Sequence, residues 1–150
     1  MAEFLFLDVN VPMYTAGQKH PYRDSCRWVM TEITEGRIQA ASDTEIIQEI
    51  LYRYGALGRP QVGVTMANHL LTIVPTVHPV VLEDVRLAVE LFARYASQGV
   101  QARDVIRVAV MQNNGLSQII STDTHFDQIR GIHRLDPKAL FTQAMRTTRG

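Results

Sequence analysis

Short apolar runs alternate with longer helical patterns along this chain of 150 residues. Residues 4–7 form a continuous apolar run, and residues 118–121, with Ile119 and Ile120 at their centre, form a second short strand candidate near the other end. Continuous runs of this kind are typical of strands that are buried on both faces of a sheet. Between them, apolar residues recur at helical spacing, as Val85 and Val89 do within residues 81–96. The chain therefore alternates strands with helices.

This alternation predicts a three-layer α/β/α sandwich with a mainly parallel central sheet. The length suits a single domain over residues 1–150. The predicted strands are residues 4–7, 37–41, 71–74, 118–121 and 132–135. The predicted helices are one that begins near Pro12 and those over residues 21–35, 42–54, 62–71, 81–96, 104–112 and 137–145, with a frayed tail after them.

Two local signals refine these boundaries. Ser42 and Glu45 have the spacing of a capping box, in which both side chains satisfy free amides at a helix start. Pro75 follows the apolar residues 71–74 and limits that strand to a short or edge position. The apolar stripe that contains Val85 and Val89 is expected to be core or a dimer seam.

Composition removes several classes of function. Fifteen basic residues balance fifteen acidic ones, so no net charge draws the protein onto nucleic acid or membranes. The single cysteine, Cys26, cannot form an internal disulfide, and no basic leader with an apolar run precedes the first strand. No stretch approaches the roughly 20 apolar residues that cross a bilayer. We expect a cytoplasmic protein without a membrane segment.

Acidic residues stand at the ends of the predicted elements. Asp8 directly follows residues 4–7, and Asp123 comes two residues after the run 118–121. In open α/β sheets the residues beyond the carboxyl ends of the strands line the ligand crevice. Asp104 lies at a helix start, and Glu49 borders the apolar stripe of the helix over residues 42–54. These four acids are predicted to meet at one edge of the sheet.

Each acid also has an ordinary structural interpretation. Asp8 can cap the following helix, and Asp104 suits a helix start because the helix dipole favours an anion there. Glu49 can pair with Arg53 one turn later, a surface interaction worth about 0.2–0.5 kcal/mol. The arrangement shared by Asp8 and Asp123 favours a common site over these separate roles.

Four ionised carboxylates in one crevice require cations, because like charges force one another toward protonation. Oxygen ligands without a cluster of cysteine or histidine point to Mg²⁺ or Mn²⁺ rather than zinc. Such ions bind a scissile phosphate, lower the pKa of the attacking water and stabilise the leaving oxygen. The predicted chemistry is therefore hydrolysis of a phosphodiester.

Four segments then carry a family resemblance. In order and spacing they resemble the four acidic blocks of PIN-domain nucleases, above all the VapC-type ribonuclease toxins of prokaryotic toxin–antitoxin pairs. The segments are FLFLDVNV, SDTEIIQEILYRY, ARDVIRVAV and QIISTDTHFDQIRGI, and they extend over residues 4–132. One block alone is weak evidence, whereas four in the right order form a fairly specific pattern.

The resemblance implies an Mg²⁺- or Mn²⁺-dependent endoribonuclease that cuts single-stranded or looped RNA, often as a homodimer. It also implies a small antitoxin that blocks the crevice, frequently by inserting an arginine. Two small polar residues, Asn10 and Thr122, match positions that orient the site and its substrate. Carried over by position, the catalytic and metal-binding acids are Asp8, Glu49, Asp104 and Asp123, with Asp127 as a candidate fifth ligand.

One position departs from the family pattern. Many relatives carry a second acid two residues after the last strand-end aspartate, and here that residue is His125. Asp127 is one substitute for the missing acid; otherwise the second metal is weak or absent until RNA supplies a phosphate. We therefore expect one metal ion on Asp8 and Asp104 rather than two. His125 is expected to be a surface residue beside the site, and the alternative role for it is donation to a phosphate.

Three other classes of protein stay open on the sequence. A phosphatase or phosphotransferase with an aspartate nucleophile also has an acid after its first strand, but it needs a second aspartate where this chain has Asn10. An RNA-processing nuclease can share the same domain without being a toxin. A non-catalytic RNA- or protein-binding module can keep the fold, although such a module tolerates the loss of acids that are all present here.

Overall fold

A parallel sheet of five strands forms the centre of the computed structural model, which describes residues 3–149. The strands are β1 (Leu5–Leu7), β2 (Ala40–Asp43), β3 (Thr76–His78), β4 (Gln118–Ile120) and β5 (His133–Leu135). Their order across the sheet is β3-β2-β1-β4-β5, and every neighbouring pair is parallel. The first strand along the chain is thus the central strand.

In the part of the chain that the structure describes, seven α-helices connect and cover the strands. They are α1 (Asn10–Ala16), α2 (Arg23–Thr34), α3 (Thr44–Ala56), α4 (Pro60–Ile73), α5 (Leu82–Tyr95), α6 (Ala102–Asn113) and α7 (Pro137–Arg149). Two 3₁₀ turns, Ala96–Gln98 and Thr124–Gln128, precede α6 and follow β4. Within residues 3–149, no helix combines the length and the apolar character that crossing a membrane requires.

The sheet separates two hydrophobic clusters. Phe6 and Ile119 belong to the cluster built with α5 and α6. Leu7 and Ile120 belong to the cluster built with α1, α2, α3 and α4. Successive residues of a strand project to opposite faces, so both faces of β1 and β4 are buried. The predicted three-layer α/β/α architecture with a parallel sheet is confirmed.

The strand predicted at residues 71–74 is wrong. Helix α4 begins with Pro60 at its first turn and continues through Ile73, which takes up most of that apolar run. Val74 precedes Pro75, whose ring disfavours helical backbone in the residue before it, and Val74 is extended with ψ of 115°. Strand β3 therefore begins at Thr76, after the proline.

The capping box at Ser42 is also wrong. Strand β2 continues through Asp43, so the Ser42 hydroxyl lies within the sheet and donates to the carbonyl of Leu7 at 3.2 Å. Asp43 caps α3 instead, accepting a hydrogen bond from the Ile46 amide at 3.0 Å. Strand β2 also begins at Ala40 rather than at residue 37, because the amides of Arg37 and Ile38 donate to the carbonyl of Glu32 in the turn after α2.

The tail predicted after residue 145 is helical, because α7 continues to Arg149. Its Phe141 ring packs against Trp28 of α2, with ring centroids 5.8 Å apart. A tertiary contact of this kind supplies the stabilisation that a terminal helix lacks by itself.

The buried centre of β4 should dominate the stability of the sheet. Ile119→Ala removes a fully buried side chain between β1 and β5 and should lower the free energy of unfolding by about 2–5 kcal/mol. Leu71→Ala, at a site 52% exposed on α4, is the control and should change it by less than about 1 kcal/mol. Urea unfolding measures both, and equal losses would contradict this core assignment.

Candidate functional site

Two acids stand at the carboxyl ends of neighbouring strands. Asp8 follows β1, and Asp123 follows β4 after two intervening residues. Because β1 and β4 pair in parallel, their carboxyl ends lie at the same edge of the sheet. Helix α6 brings Asp104 to this edge, and helix α3 brings Glu49 to it.

A hydrogen-bond network fixes Asp8. One of its carboxylate oxygens accepts from the Val9 amide at 2.8 Å. The other accepts from the Ser121 hydroxyl at 2.7 Å and from the Asn10 side-chain amide at 3.2 Å. The same Ser121 oxygen accepts from the Asp123 amide at 2.9 Å, which ties the two strand ends together. Asp8 is buried within this network.

Asn10 and Thr122 lie beside these strand ends. The side-chain oxygen of Asn10 accepts from the Thr122 amide at 3.4 Å, and its side-chain nitrogen donates to Ser121 at 3.2 Å. Asn10 therefore bridges β1 and β4 just beyond the sheet. Its predicted orienting role has a geometric basis, and substrate binding by Asn10 and Thr122 stays a prediction.

Asp104, Asp123 and His125 form a compact group of metal-ligating side chains. One ligand atom from each lies within 4.8 Å of the others. The Nδ1 atom of His125 is 3.0 Å from a carboxylate oxygen of Asp123. Asp104 is buried, whereas Asp123 and His125 are partly exposed, so the group is open to solvent on one side. His125, expected to be a bystander, belongs to this group.

Burial raises the pKa of Asp104 above its ordinary value. The hydrogen bond from the Gln101 amide opposes this shift, while the negative charges of Asp123 and Asp8 add to it. A carboxylate in this environment gains from a nearby cation.

Arg107 is the functional residue that the sequence reasoning missed. Its guanidinium is buried, with Nη2 lying 2.6 Å from Glu49, Nε 3.1 Å from Asp8 and Nη1 3.8 Å from Asp104. Burial alone lowers the pKa of Arg107, but the charges of Asp8 and Glu49 outweigh it and raise that pKa above its ordinary value. A basic residue within the apolar sequence of α6, one turn after Asp104, was the available signal.

Glu49 contacts three arginines. Besides Arg107, its carboxylate lies 3.3 Å from Nε of Arg53 and 3.7 Å from Nε of Arg103. The pair with Arg53 predicted as an alternative role therefore exists, although Glu49 itself is buried rather than on the surface. Direct metal binding by Glu49 stays a prediction.

Asp127 lies outside the ligand group. Both of its carboxylate oxygens accept from Arg134, at 3.0 and 3.2 Å, and that arginine also donates to the backbone carbonyl of Ser121 at 3.1 Å. The 3₁₀ turn after β4 thus directs Asp127 to an arginine, while His125 takes the position beside Asp123.

The chemistry of the group fits a divalent cation. Two carboxylates and one imidazole, with ligand atoms within 4.8 Å of one another, can share one ion that has ligand distances of about 2.0–2.2 Å. The partly exposed side leaves positions for water or substrate oxygens, which Mg²⁺ and Mn²⁺ sites retain. The residues present therefore fit a metal.

The sheet topology and the acids at one edge define a parallel α/β domain with a group of side chains that could hold a metal ion. Comparison with known proteins gives its family. The family model described as PIN domain matches residues 5–132. This match extends over most of the chain, and the chain belongs to the PIN-domain family.

Similar proteins agree with this assignment. Ribonuclease VapC13 of Mycobacterium tuberculosis is 31% identical over 131 residues, which cover 87% of this chain and 98% of that protein. The structure of VapC20 of M. tuberculosis, a sarcin-ricin loop cleaving toxin, has a TM-score of 0.70 at 16% identity, covering 83% of this chain and 93% of that one. A toxin-antitoxin complex from Klebsiella pneumoniae gives 0.60 at 16% identity, with 89% and 97% covered.

Asp43 should give the fold a distinct pH dependence. Burial raises its pKa from 3.8 to about 6, so its ionised form destabilises the folded state above pH 6 and its protonated form removes that penalty as the pH falls. Asp43→Asn keeps a helix-capping oxygen and should raise the free energy of unfolding at pH 8 by about 1–3 kcal/mol, with little change at pH 4.

Chemical unfolding at both pH values tests this expectation. Asp24→Asn, which removes an exposed carboxylate from α2, is the matched control and should show no such difference between pH 8 and pH 4. A gain from Asp43→Asn that is equal at both pH values would contradict the assignment of the raised pKa to Asp43.

Proposed function

We propose that this protein is a metal-dependent endoribonuclease and the toxin of a toxin–antitoxin pair. The observation that carries the proposal is the group formed by Asp104, Asp123 and His125 beside the buried Asp8, within the PIN-domain fold. Relatives with the name ribonuclease that match nearly their whole length support the same activity.

The metal is Mg²⁺ or Mn²⁺, held by Asp104, Asp123 and His125 with Asp8 next to them. Carboxylate oxygens suit both ions, while an imidazole nitrogen favours Mn²⁺ over Mg²⁺. When bound, the ion lowers the pKa of a water molecule and neutralises charge on the scissile phosphate. In this arrangement Asp104 and Asp123 hold the ion at the reacting phosphodiester, and Asp8 lies beside them.

The chain's own residues prepare this site. Ser121 and Asn10 hold the Asp8 carboxylate by hydrogen bonds. The carboxylate is therefore already ordered before substrate binds, and binding loses little conformational entropy there. Arg103, whose side chain is 43% exposed beside Glu49, is available to a neighbouring phosphate of the RNA backbone. A single-stranded or looped RNA suits an open edge of this kind, because its backbone can bend into the crevice.

An apolar groove on the helical face of the domain supports binding of an antitoxin. It lies between α1, α2 and α4 and has a volume of about 430 Å³. Pro12, in the first turn of α1, is one of the residues that line it. An amphipathic segment of a partner can dock there and extend into the crevice. The groove is lined by Pro12, Met30, Val62, Met66 and Leu70 among others.

The stripe on α5 supports a homodimer. The sequence predicted that this stripe is either core or a dimer seam. Because the stripe is exposed, it supports the dimer seam. Exposed apolar side chains in a row are typical of protein–protein interfaces. The exposed fractions are 61% for Leu82, 42% for Val85, 66% for Val89 and 43% for Phe92.

Loss of one aspartate should abolish cleavage. Asp8→Asn or Asp104→Asn should lower the rate of Mn²⁺-dependent RNA cleavage by at least about 100-fold, because Asp104→Asn removes a proposed metal ligand and Asp8→Asn removes the buried carboxylate beside it. Asp24→Asn is the matched control and should retain the wild-type rate. Cleavage of total RNA is followed with EDTA and after return of Mn²⁺, and circular dichroism checks the fold. Full activity of a folded Asp8→Asn or Asp104→Asn variant would refute the site.

Toxicity separates a toxin from an RNA-processing nuclease with the same site. Induced expression of the wild-type chain in a bacterial host should arrest growth, and Asp104→Asn should not. Co-expression of the protein encoded by a short neighbouring reading frame should restore growth. Active cleavage in vitro without growth arrest would favour the processing nuclease, while neither effect would favour a non-catalytic binding module.

A further inference from the structure

Arg107 is the one basic side chain buried among residues 3–149. It lies on α6 one turn after Asp104 and reaches Asp8 and Glu49, which come from two other elements. A buried charge is costly unless it is paired, so its position among three buried acids is a specific arrangement. This fixed cation lies directly beside the proposed metal site.

The guanidinium fills the space between Asp8 and Glu49. Its Nη2 is 2.6 Å from an oxygen of Glu49, and its Nε is 3.1 Å from an oxygen of Asp8. A divalent cation bridging those two oxygens needs ligand distances of about 2.0–2.2 Å, so it cannot share this space with the guanidinium. Arginine also stays protonated at neutral pH, and so it does not yield the space by losing its charge.

Three arginines already compensate the negative charge of Glu49. Arg53 and Arg103 lie on its outer side at 3.3 and 3.7 Å, in addition to Arg107 on the buried side. In contrast, Asp123 and His125 contact no arginine or lysine among the described ion pairs, and Asp104 is 3.8 Å from the nearest guanidinium nitrogen. Negative charge that still needs a cation therefore lies on the Asp104 side.

We infer that Arg107 replaces a second metal ion, so that each chain binds a single divalent cation at Asp104, Asp123 and His125 and none between Asp8 and Glu49. Arg107 is a positioning residue that sets the metal stoichiometry and holds Asp8 and Glu49 in place without contacting substrate. The inference rests on the proposed metal-dependent function and deepens it.

The test is the binding of Mn²⁺ to the purified chain of 150 residues, measured by calorimetry and by the electron paramagnetic resonance signal of free Mn²⁺. Wild-type protein should bind one equivalent. Arg107→Met should bind a second equivalent, because it opens the space between Asp8 and Glu49. Arg53→Met is the matched control: it removes a half-exposed arginine that also contacts Glu49, and it should still bind one equivalent.

A second variant covers the case in which Arg107→Met leaves its partner acids uncompensated and does not fold. Replacing both members of a buried ion pair is tolerated better than removing one. The double variant Arg107→Met with Glu49→Gln keeps the net charge of the group and should bind one Mn²⁺ with an affinity within about threefold of wild type. Asp104→Asn should weaken binding by at least about tenfold.

The outcomes separate this inference from the proposed function. Two equivalents in the wild type, or a loss of tenfold or more in the double variant, would overturn the role of Arg107 while leaving a metal-dependent nuclease intact. Absence of any Mn²⁺ binding, even with an RNA oligonucleotide present, would overturn the metal-dependent function itself. One equivalent in the wild type and two in a folded Arg107→Met variant support the inference, whereas one equivalent in a folded Arg107→Met variant would overturn it. If Arg107→Met does not fold, the affinity of the double variant decides.

Discussion

Mutual repulsion between buried carboxylates is the constraint on which this structure depends. The parallel sheet brings Asp8 to one edge, where it meets Asp104 and Glu49 from helices on opposite sides of the sheet. Negative charges this close destabilise a fold unless cations accompany them. The guanidinium of Arg107 is the cation that the chain supplies for itself, and it links the three elements through the charges that would otherwise separate them.

The pairing of β1 with β4 fixes the positions of Asp8 and Asp123 relative to each other. Their parallel pairing sets the backbone, and the Ser121 hydroxyl then joins the Asp8 carboxylate to the Asp123 amide. Side chains held by a rigid sheet edge and by hydrogen bonds to one another need little reorganisation on binding. The 3₁₀ turn that follows β4 completes the group by bringing His125 beside Asp123.

Much of the fold could be predicted because both strands of the site contain consecutive apolar residues and are followed by polar ones. Strands that are buried on both faces of a parallel sheet are typically apolar. The acids of the family pattern follow these strands in the expected positions. The strand after α4 was misplaced because the short apolar run at residues 71–74 is compatible with a helix or a strand, and only Pro75 decides between the two.

The side-chain partners at the site were less accessible to sequence reasoning. Arg107 and Ser121 act through contacts across elements that are far apart along the chain, which no local pattern encodes. His125 and Asp127 are two residues apart with similar surroundings, and the geometry of the 3₁₀ turn alone brings one to Asp123 and the other to Arg134. Predicting such choices requires the turn itself.

The order of the strands also has a consequence for protein synthesis. The central strand is made first, yet its partner β4 follows more than a hundred residues later, and β5 must still pair beside it. A nascent polypeptide on the ribosome lacks the completed carboxyl edge until Leu135 has emerged and the sheet has closed. Only a molecule whose sheet has closed around β1 therefore carries the assembled centre.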